Sequence, residues 1–118
     1  MSGRTRKVES QLKEIVGEEV GALSDPRIHG LVTVTAVRVS PDLMQATVFY
    51  SVLAAADAEE AKEGLGSAAG RIQAAVGAQT RLKRTPRLRF EPDPVVEQVA
   101  RIESALRGVR SVDDPHDE

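Results

Sequence analysis

Apolar residues recur at spacings of three and four between positions 5 and 23. Val8, Leu12, Ile15, Val16, Val20 and Leu23 form one stripe, which predicts an amphipathic helix. Ser24-Asp25-Pro26 ends it, because proline lacks the N–H of the helical ladder and restrains the residue before it. The period then shortens. Leu31 to Val39 (LVTVTAVRV) is dense in β-branched residues and predicts a strand, as does Met44 to Leu53 (MQATVFYSVL). The turn cluster Ser40-Pro41-Asp42 joins the two as an antiparallel hairpin.

Asp57, with Glu60 three residues on, resembles a capping box and opens a second helical pattern. Leu65, Ala68, Ala69, Ile72, Ala75 and Val76 carry its apolar face to about Thr80. Gly64, Gly66 and Gly70 interrupt it, each costing up to about 1 kcal/mol against alanine. A bend is therefore expected near Ala68-Ala69-Gly70, dividing one pattern into two helices. After Thr85-Pro86, the run Arg87-Leu88-Arg89-Phe90 alternates strictly, with Leu88 and Phe90 inward and the arginines outward. Asp93-Pro94 reads as an N-cap followed by proline at the first helical position. Val95, Val99, Ile102 and Leu106 then make the stripe of a last helix.

The expected order is helix, strand, strand, helix, kink, helix, strand, helix. This is an α+β architecture, a three-stranded sheet with helices mainly on one face. With 118 residues the chain suits one domain, placed at residues 1–107. The acidic stretch 108–118, beginning at Gly108, is expected to be a disordered tail. No internal repeat is visible.

Charge changes the picture more than composition does. Between Arg71 and Phe90 stand Arg71, Arg81, Lys83, Arg84, Arg87 and Arg89 without one acid, in a chain of formal net charge -2. A basic strip on an otherwise acidic domain attracts a phosphate-rich partner locally, without general stickiness. The bland alternative is a solvated charged surface. Aromatic residues are only 3% of the chain, so stacking on unpaired bases has little support and contacts should go to backbone and shape.

Catalytic chemistry finds little to draw on. His29 and His116 are the only histidines, and there is no cysteine for a nucleophile, disulfide or zinc site. His29 lies in a proline turn and reads as a loop residue. Asp25, Asp42 and Asp93 occupy turn or cap positions that already explain them. The run Gly64-Leu65-Gly66-Ser67-Ala68-Ala69-Gly70 follows no strand and matches neither dinucleotide nor P-loop spacing. A helix beginning near Gly70 would nevertheless offer free amide N–H groups to a phosphate. No cofactor or metal is implied. No apolar run approaches the ~20 residues that cross a bilayer, and no secretory signal pattern is present, so a cytoplasmic location is expected.

The run Asp25-Pro26-Arg27-Ile28-His29-Gly30-Leu31-Val32-Thr33-Val34-Thr35, followed by Val39-Ser40-Pro41-Asp42-Leu43, resembles the signature of the bacterial ribosome-binding factor A family. Arg6-Lys7-Val8-Glu9, Glu14-Ile15, Pro86-Arg87-Leu88-Arg89-Phe90 and Arg101-Ile102 fall in the matching order, so that the resemblance covers roughly residues 4–107. It implies a type II KH-like fold, in which an Ala-x-Gly kink, here Ala68-Ala69-Gly70, replaces the usual G-x-x-G loop. It further implies a non-catalytic factor that binds the free 30S subunit, assists late maturation and processing of 16S rRNA and supports growth in the cold. Val95 stands where the family usually has a small polar residue, and Val99 where it usually has glycine.

The basic strip would then meet RNA on the helix after the kink and the strand beyond it. Arg4, Arg6 and Lys7 would extend the strip, and Ala68, Ala69 and Gly70 would complete the site. The rival reading is a protein-interaction module that docks on a ribosomal protein or an assembly GTPase through its sheet or apolar helix stripe. DNA binding is disfavoured by the overall negative charge. Nothing demands a dimer, so a monomer is expected.

Overall fold

The computed structural model describes residues 3–113. Its order is α1 (Gly3–Ala22), β1 (Val32–Val39), β2 (Gln45–Val52), a 3-10 turn (Ala55–Asp57), α2 (Ala58–Gln79), β3 (Arg87–Pro92) and α3 (Pro94–Asp113). The three strands form one mixed sheet in the order β1-β2-β3, antiparallel between β1 and β2 and parallel between β2 and β3. The α1 and α2 helices cover one face, as expected of an α+β, KH-like arrangement.

The stripe read from the first helix is the core stripe. Val8, Leu12, Ile15, Val16 and Val20 are buried against Val37, Val39, Ala46, Val48 and Tyr50 of the sheet and Leu65, Ile72 and Val76 of α2. Among the described residues one carboxylate enters this core: Glu9 accepts a hydrogen bond from the Val39 N–H at 2.9 Å, which ties α1 to the end of β1. The hairpin turn is held by Leu43 N–H to Ser40 O (2.8 Å) and Met44 N–H to the Asp42 carboxylate (3.0 Å). Leu43 takes a positive φ of 61° there.

Asp25 organises the connection from α1 to β1. Its carboxylate accepts from the Arg27 N–H and pairs with the Arg27 guanidinium at 2.6 Å, while its carbonyl accepts from Ile28 and His29. His29 donates through Nδ1 to the Leu23 carbonyl at 3.0 Å, a loop-closing role. This turn drives Ile28, 1% exposed, against α2 at Gly64. A methyl group at Gly64 would lie 3.0 Å from the Ile28 side chain and 3.3 Å from Arg27 Cβ, so glycine here permits close packing.

The break expected at Ala68-Ala69-Gly70 does not divide the helix: α2 is one helix from Ala58 to Gln79. Leu65, Ala68, Ile72 and Val76 keep one register across Gly70, so packing holds the helix where propensity alone would weaken it. The amides near Gly70 therefore sit inside a helical ladder and are not free donors. Asp57 occupies the N-cap position of α2 as expected, but its side chain makes no capping hydrogen bond.

The last helix begins where Asp93-Pro94 places it, and Asp93 Oδ1 accepts from the Val95 N–H at 2.9 Å. A β-bulge between Val34 and Ala36 turns the Thr35 hydroxyl toward Asp93, to which it donates. That bond, with the Val95 and Val96 amides, holds the Asp93 carboxyl below the usual carboxylate range. One expectation for α3 needs correction. The helix continues past Gly108 to Asp113, while the acidic end at 114–118 lies outside the described residues. The stripe read from this helix is left uncovered by the body: Val95, Val99, Ile102 and Leu106 are 67%, 49%, 51% and 56% exposed. An amphipathic stripe shows what a helix can bury but supplies no partner. The radius of gyration of 17.5 Å, against roughly 13–14 Å for a compact chain of this length, fits a helix standing off the body.

These contacts set the expected stability effects. Gly64→Ala lowers the melting temperature, because forced overpacking against Ile28 costs about 1–3 kcal/mol and outweighs the helical gain. Gly70→Ala, with open space around its Cβ, raises stability by about 0.5–1 kcal/mol. In the same thermal melts, Ile72→Ala costs about 2–5 kcal/mol as a buried truncation, whereas Ile102→Ala stays within about 0.5 kcal/mol. The last outcome concerns pH. The Arg27 side chain and N–H lower the Asp25 carboxyl from 3.8 to about 2. A depressed carboxyl contributes stability above its unfolded value and loses it as pH falls through the folded one. The melting-temperature gap between native protein and Asp25→Asn is therefore fully open at pH 5 and closes as pH falls from about 4 to about 2. A gap independent of pH would show that the ion pair contributes nothing.

Candidate nucleic-acid interface

The segment from Arg81 to Pro86 carries the chain from the end of α2 into β3. Pro86 is buried and Leu82 packs partly against the core, while Arg81, Lys83 and Arg84 between and beside them are exposed. Hydrophobic anchoring of the loop thus pushes its cations into solvent. Arg4, in the first turn of α1, joins them: Arg4, Lys83 and Arg84 line one cleft of about 530 Å³ with Leu43, Met44 and Leu82. Asp42 also lines it, but its carboxylate is held by the Ser40 hydroxyl (2.7 Å) and the Met44 N–H (3.0 Å), which lower its pKa.

Beside this cleft runs a groove between the middle of α2 and β3. It has a volume of about 430 Å³ and is lined by Ala69, Gly70, Gln73, Thr85, Arg87 and Leu88. Gln73 fixes its width. Its side-chain N–H donates to the Pro86 carbonyl at 2.7 Å, and its side-chain oxygen accepts from the Leu88 N–H at 2.9 Å. On β3 the Arg87 N–H turns inward to Met44 O, so Leu88 faces the outer edge, where Gln73 satisfies it. That residue was not singled out in the sequence; one polar position beside Ile72 on the core side of α2 was the available signal. Gly77 lets Thr85 approach, since a Cβ there would lie 3.0 Å from its hydroxyl.

Alternation along β3 works as read: Leu88 is buried, Phe90 packs partly on the core, and Arg87 and Arg89 are exposed. Arg89 is engaged by Glu91 at 2.8 Å. Among the described residues no carboxylate pairs with Arg71, Arg81, Lys83, Arg84 or Arg87. The structure gathers Arg4, Lys83 and Arg84 in the cleft and Ala69, Gly70 and Arg87 at the groove. Ala68 is half-buried on the core side. Arg71, Arg81 and Lys7 are exposed but line neither depression, and Arg6 lies in a different cleft, formed by α1 and β1.

These surfaces can hold a polyanion by charge and shape. They present unpaired cations around a groove with small residues on one wall, and no aromatic ring lines either depression. Among the described residues, no group of three or more His, Cys, Asp or Glu side chains is arranged to hold a metal ion, and no helix is long and apolar enough to cross a membrane.

Comparison with known proteins identifies the family. The family model described as ribosome-binding factor A matches residues 4–106. A relative of that description from Rubrobacter xylanophilus is 74% identical over 110 residues, covering 93% of this chain and 90% of its own. The crystal structure of ribosome-binding factor A from Thermus thermophilus superposes with a TM-score of 0.68 at 39% identity, covering 75% of this chain and 93% of that one. A homology model of the Thermus thermophilus factor, as fitted into the cryo-EM map of a 30S complex, matches at a TM-score of 0.62 and 40% identity, over 72% of this chain and 90% of that one. With the signature turn at Asp25–Gly30, the mixed sheet and a family match over nearly the whole length, this chain belongs to the ribosome-binding factor A family.

Proposed function

We propose that this protein binds the free small ribosomal subunit by gripping the backbone of 16S rRNA, assists late maturation and processing of that RNA, and does so without catalysis. The observation that carries this reading is the convergence of Arg4 with Lys83 and Arg84 in one cleft beside the Gly70–Arg87 groove. These cations come from distant parts of the sequence, yet among the described residues no carboxylate pairs with them. The 30S complex of the Thermus thermophilus factor supports the choice of partner. A cytoplasmic, monomeric factor acting in cold growth completes the proposal. The exposed stripe Val95, Val99, Ile102 and Leu106 favours one additional reading, a protein contact through α3 with a ribosomal protein or an assembly GTPase.

Each phosphate neutralised releases counterions, so affinity falls on a log–log salt plot by about 0.7–0.9 per contact. With four to six contacts, a threefold rise in salt weakens binding on the order of twentyfold to several hundredfold. Co-sedimentation with free small subunits over a salt series checks this. The triple variant Arg81→Glu, Lys83→Glu, Arg84→Glu, with an unchanged melting temperature, should lose binding. A slope near zero for the native protein would sink the phosphate reading. Association that survives nuclease digestion of the RNA would assign the contact to protein.

A further inference from the structure

The Arg6 cleft lies at the opposite edge of the sheet from the Gly70–Arg87 groove. Strand order puts β1 at one edge and β3 at the other. On the β1 side, Arg6 and Lys13 of α1 and Arg38 of β1 line a cleft of about 290 Å³, with Ser10 on its wall. Helical geometry explains the grouping: Arg6, Ser10 and Lys13 are spaced by four and three and so share a face. Arg4, two residues from Arg6, is turned roughly 200° away, toward the other basic cleft.

Three observations make this more than a solvated patch. Among the described residues, Arg6, Lys13 and Arg38 form no ion pair. Glu9, the one acid lining the cleft, is buried and engaged by the Val39 N–H. The strand edge also supplies a neutral donor. N–H groups alternate in direction along an antiparallel strand; Ser40 points inward to Gln45 and Val39 outward to Glu9, so Val37 points outward into the same cleft. Beyond Lys13 the surface turns acidic at Glu14 and Glu18. That boundary limits any occupant to a short polyanionic stretch.

We infer that this α1–β1 cleft is a second RNA-backbone site, in which Arg6, Lys13 and Arg38 hold the phosphates of a segment distinct from the one at the α2–β3 groove. It deepens the RNA-binding reading above and rests on it. The factor would then bridge two RNA segments across the width of its sheet, restraining their relative position rather than gripping one strand.

The test is the double variant Lys13→Gln, Arg38→Gln, both exposed positions outside the first site, compared with native protein and with the loop triple variant. Affinity for free small subunits is measured across a salt series, with hydroxyl-radical footprinting of the RNA and thermal melts to check the fold. The expected result is an affinity loss on the order of tenfold and a salt slope lower by about 1.5. One set of RNA protections disappears while the set lost in the loop variant remains. Lys13→Arg should bind as the native protein does. Native-like affinity, slope and footprint in the double variant overturn the second site and leave the first intact. Weakened binding with unchanged slope and protections assigns this edge to a protein contact and likewise overturns it. A native slope near zero removes the RNA reading at both edges.

Discussion

The parallel pairing of β2 with β3 is the constraint on which the rest of this molecule depends. A parallel neighbour cannot be reached through a tight turn; the chain must return along the full length of the sheet before starting the next strand. Here α2 makes that return. At about 1.5 Å per residue its 22 residues run about 33 Å, longer than the roughly 27 Å of an eight-residue strand. The helix therefore overshoots the sheet, and the loop from Arg81 to Pro86 must double back to enter β3. That overshoot is what places three cations at the end of the sheet, where the first turn of α1 brings Arg4 beside two of them.

The same requirement accounts for the tolerance of glycine in α2. A hinge in the crossover would leave the start of β3 undefined, yet the helix carries Gly64, Gly66, Gly70 and Gly77. Packing resolves the conflict at both of its ends. Ile28 presses into the space left at Gly64, Thr85 sits against Gly77, and Gln73 bonds two backbone groups of the incoming strand. Gly66 and Gly70 stand free of neighbours. At Gly70 the small surface forms part of the groove wall instead.

How much of this was readable in advance depends on whether the signal was local. The α1 stripe, the hairpin and the Asp93-Pro94 start are set by residues within a turn or two of each other, and each falls within a few residues of its expected position. The division of α2 was misread because glycine propensity is local, whereas the register of Leu65, Ala68, Ile72 and Val76 acts through contacts with distant strands. The α3 stripe shows the converse limit: periodicity marks a face capable of burial, and only the tertiary arrangement shows whether anything lies against it. The candidate site follows the same rule. Lys83, Arg84 and Arg87 are visible as a charge run, and Arg4 reaches them as expected. Arg6 does not, because two steps along a helix reverse direction, and Gln73 carries no charge to mark it.

Net charge also takes on a different meaning once the cations are placed. A chain of formal charge -2 should be repelled by RNA at distances where only the sum is felt. At physiological salt, screening reduces that range to about 8 Å, shorter than the width of the sheet with its side chains. An approaching backbone then responds to the edge nearest to it. On the RNA-binding proposal, Arg4, Lys83 and Arg84 would attract it at one side, while Glu14 and Glu18 on α1 would repel it elsewhere. The acids would thus act with the basic loop, removing unproductive orientations and leaving the sheet edges as the surfaces on which a polyanion could settle.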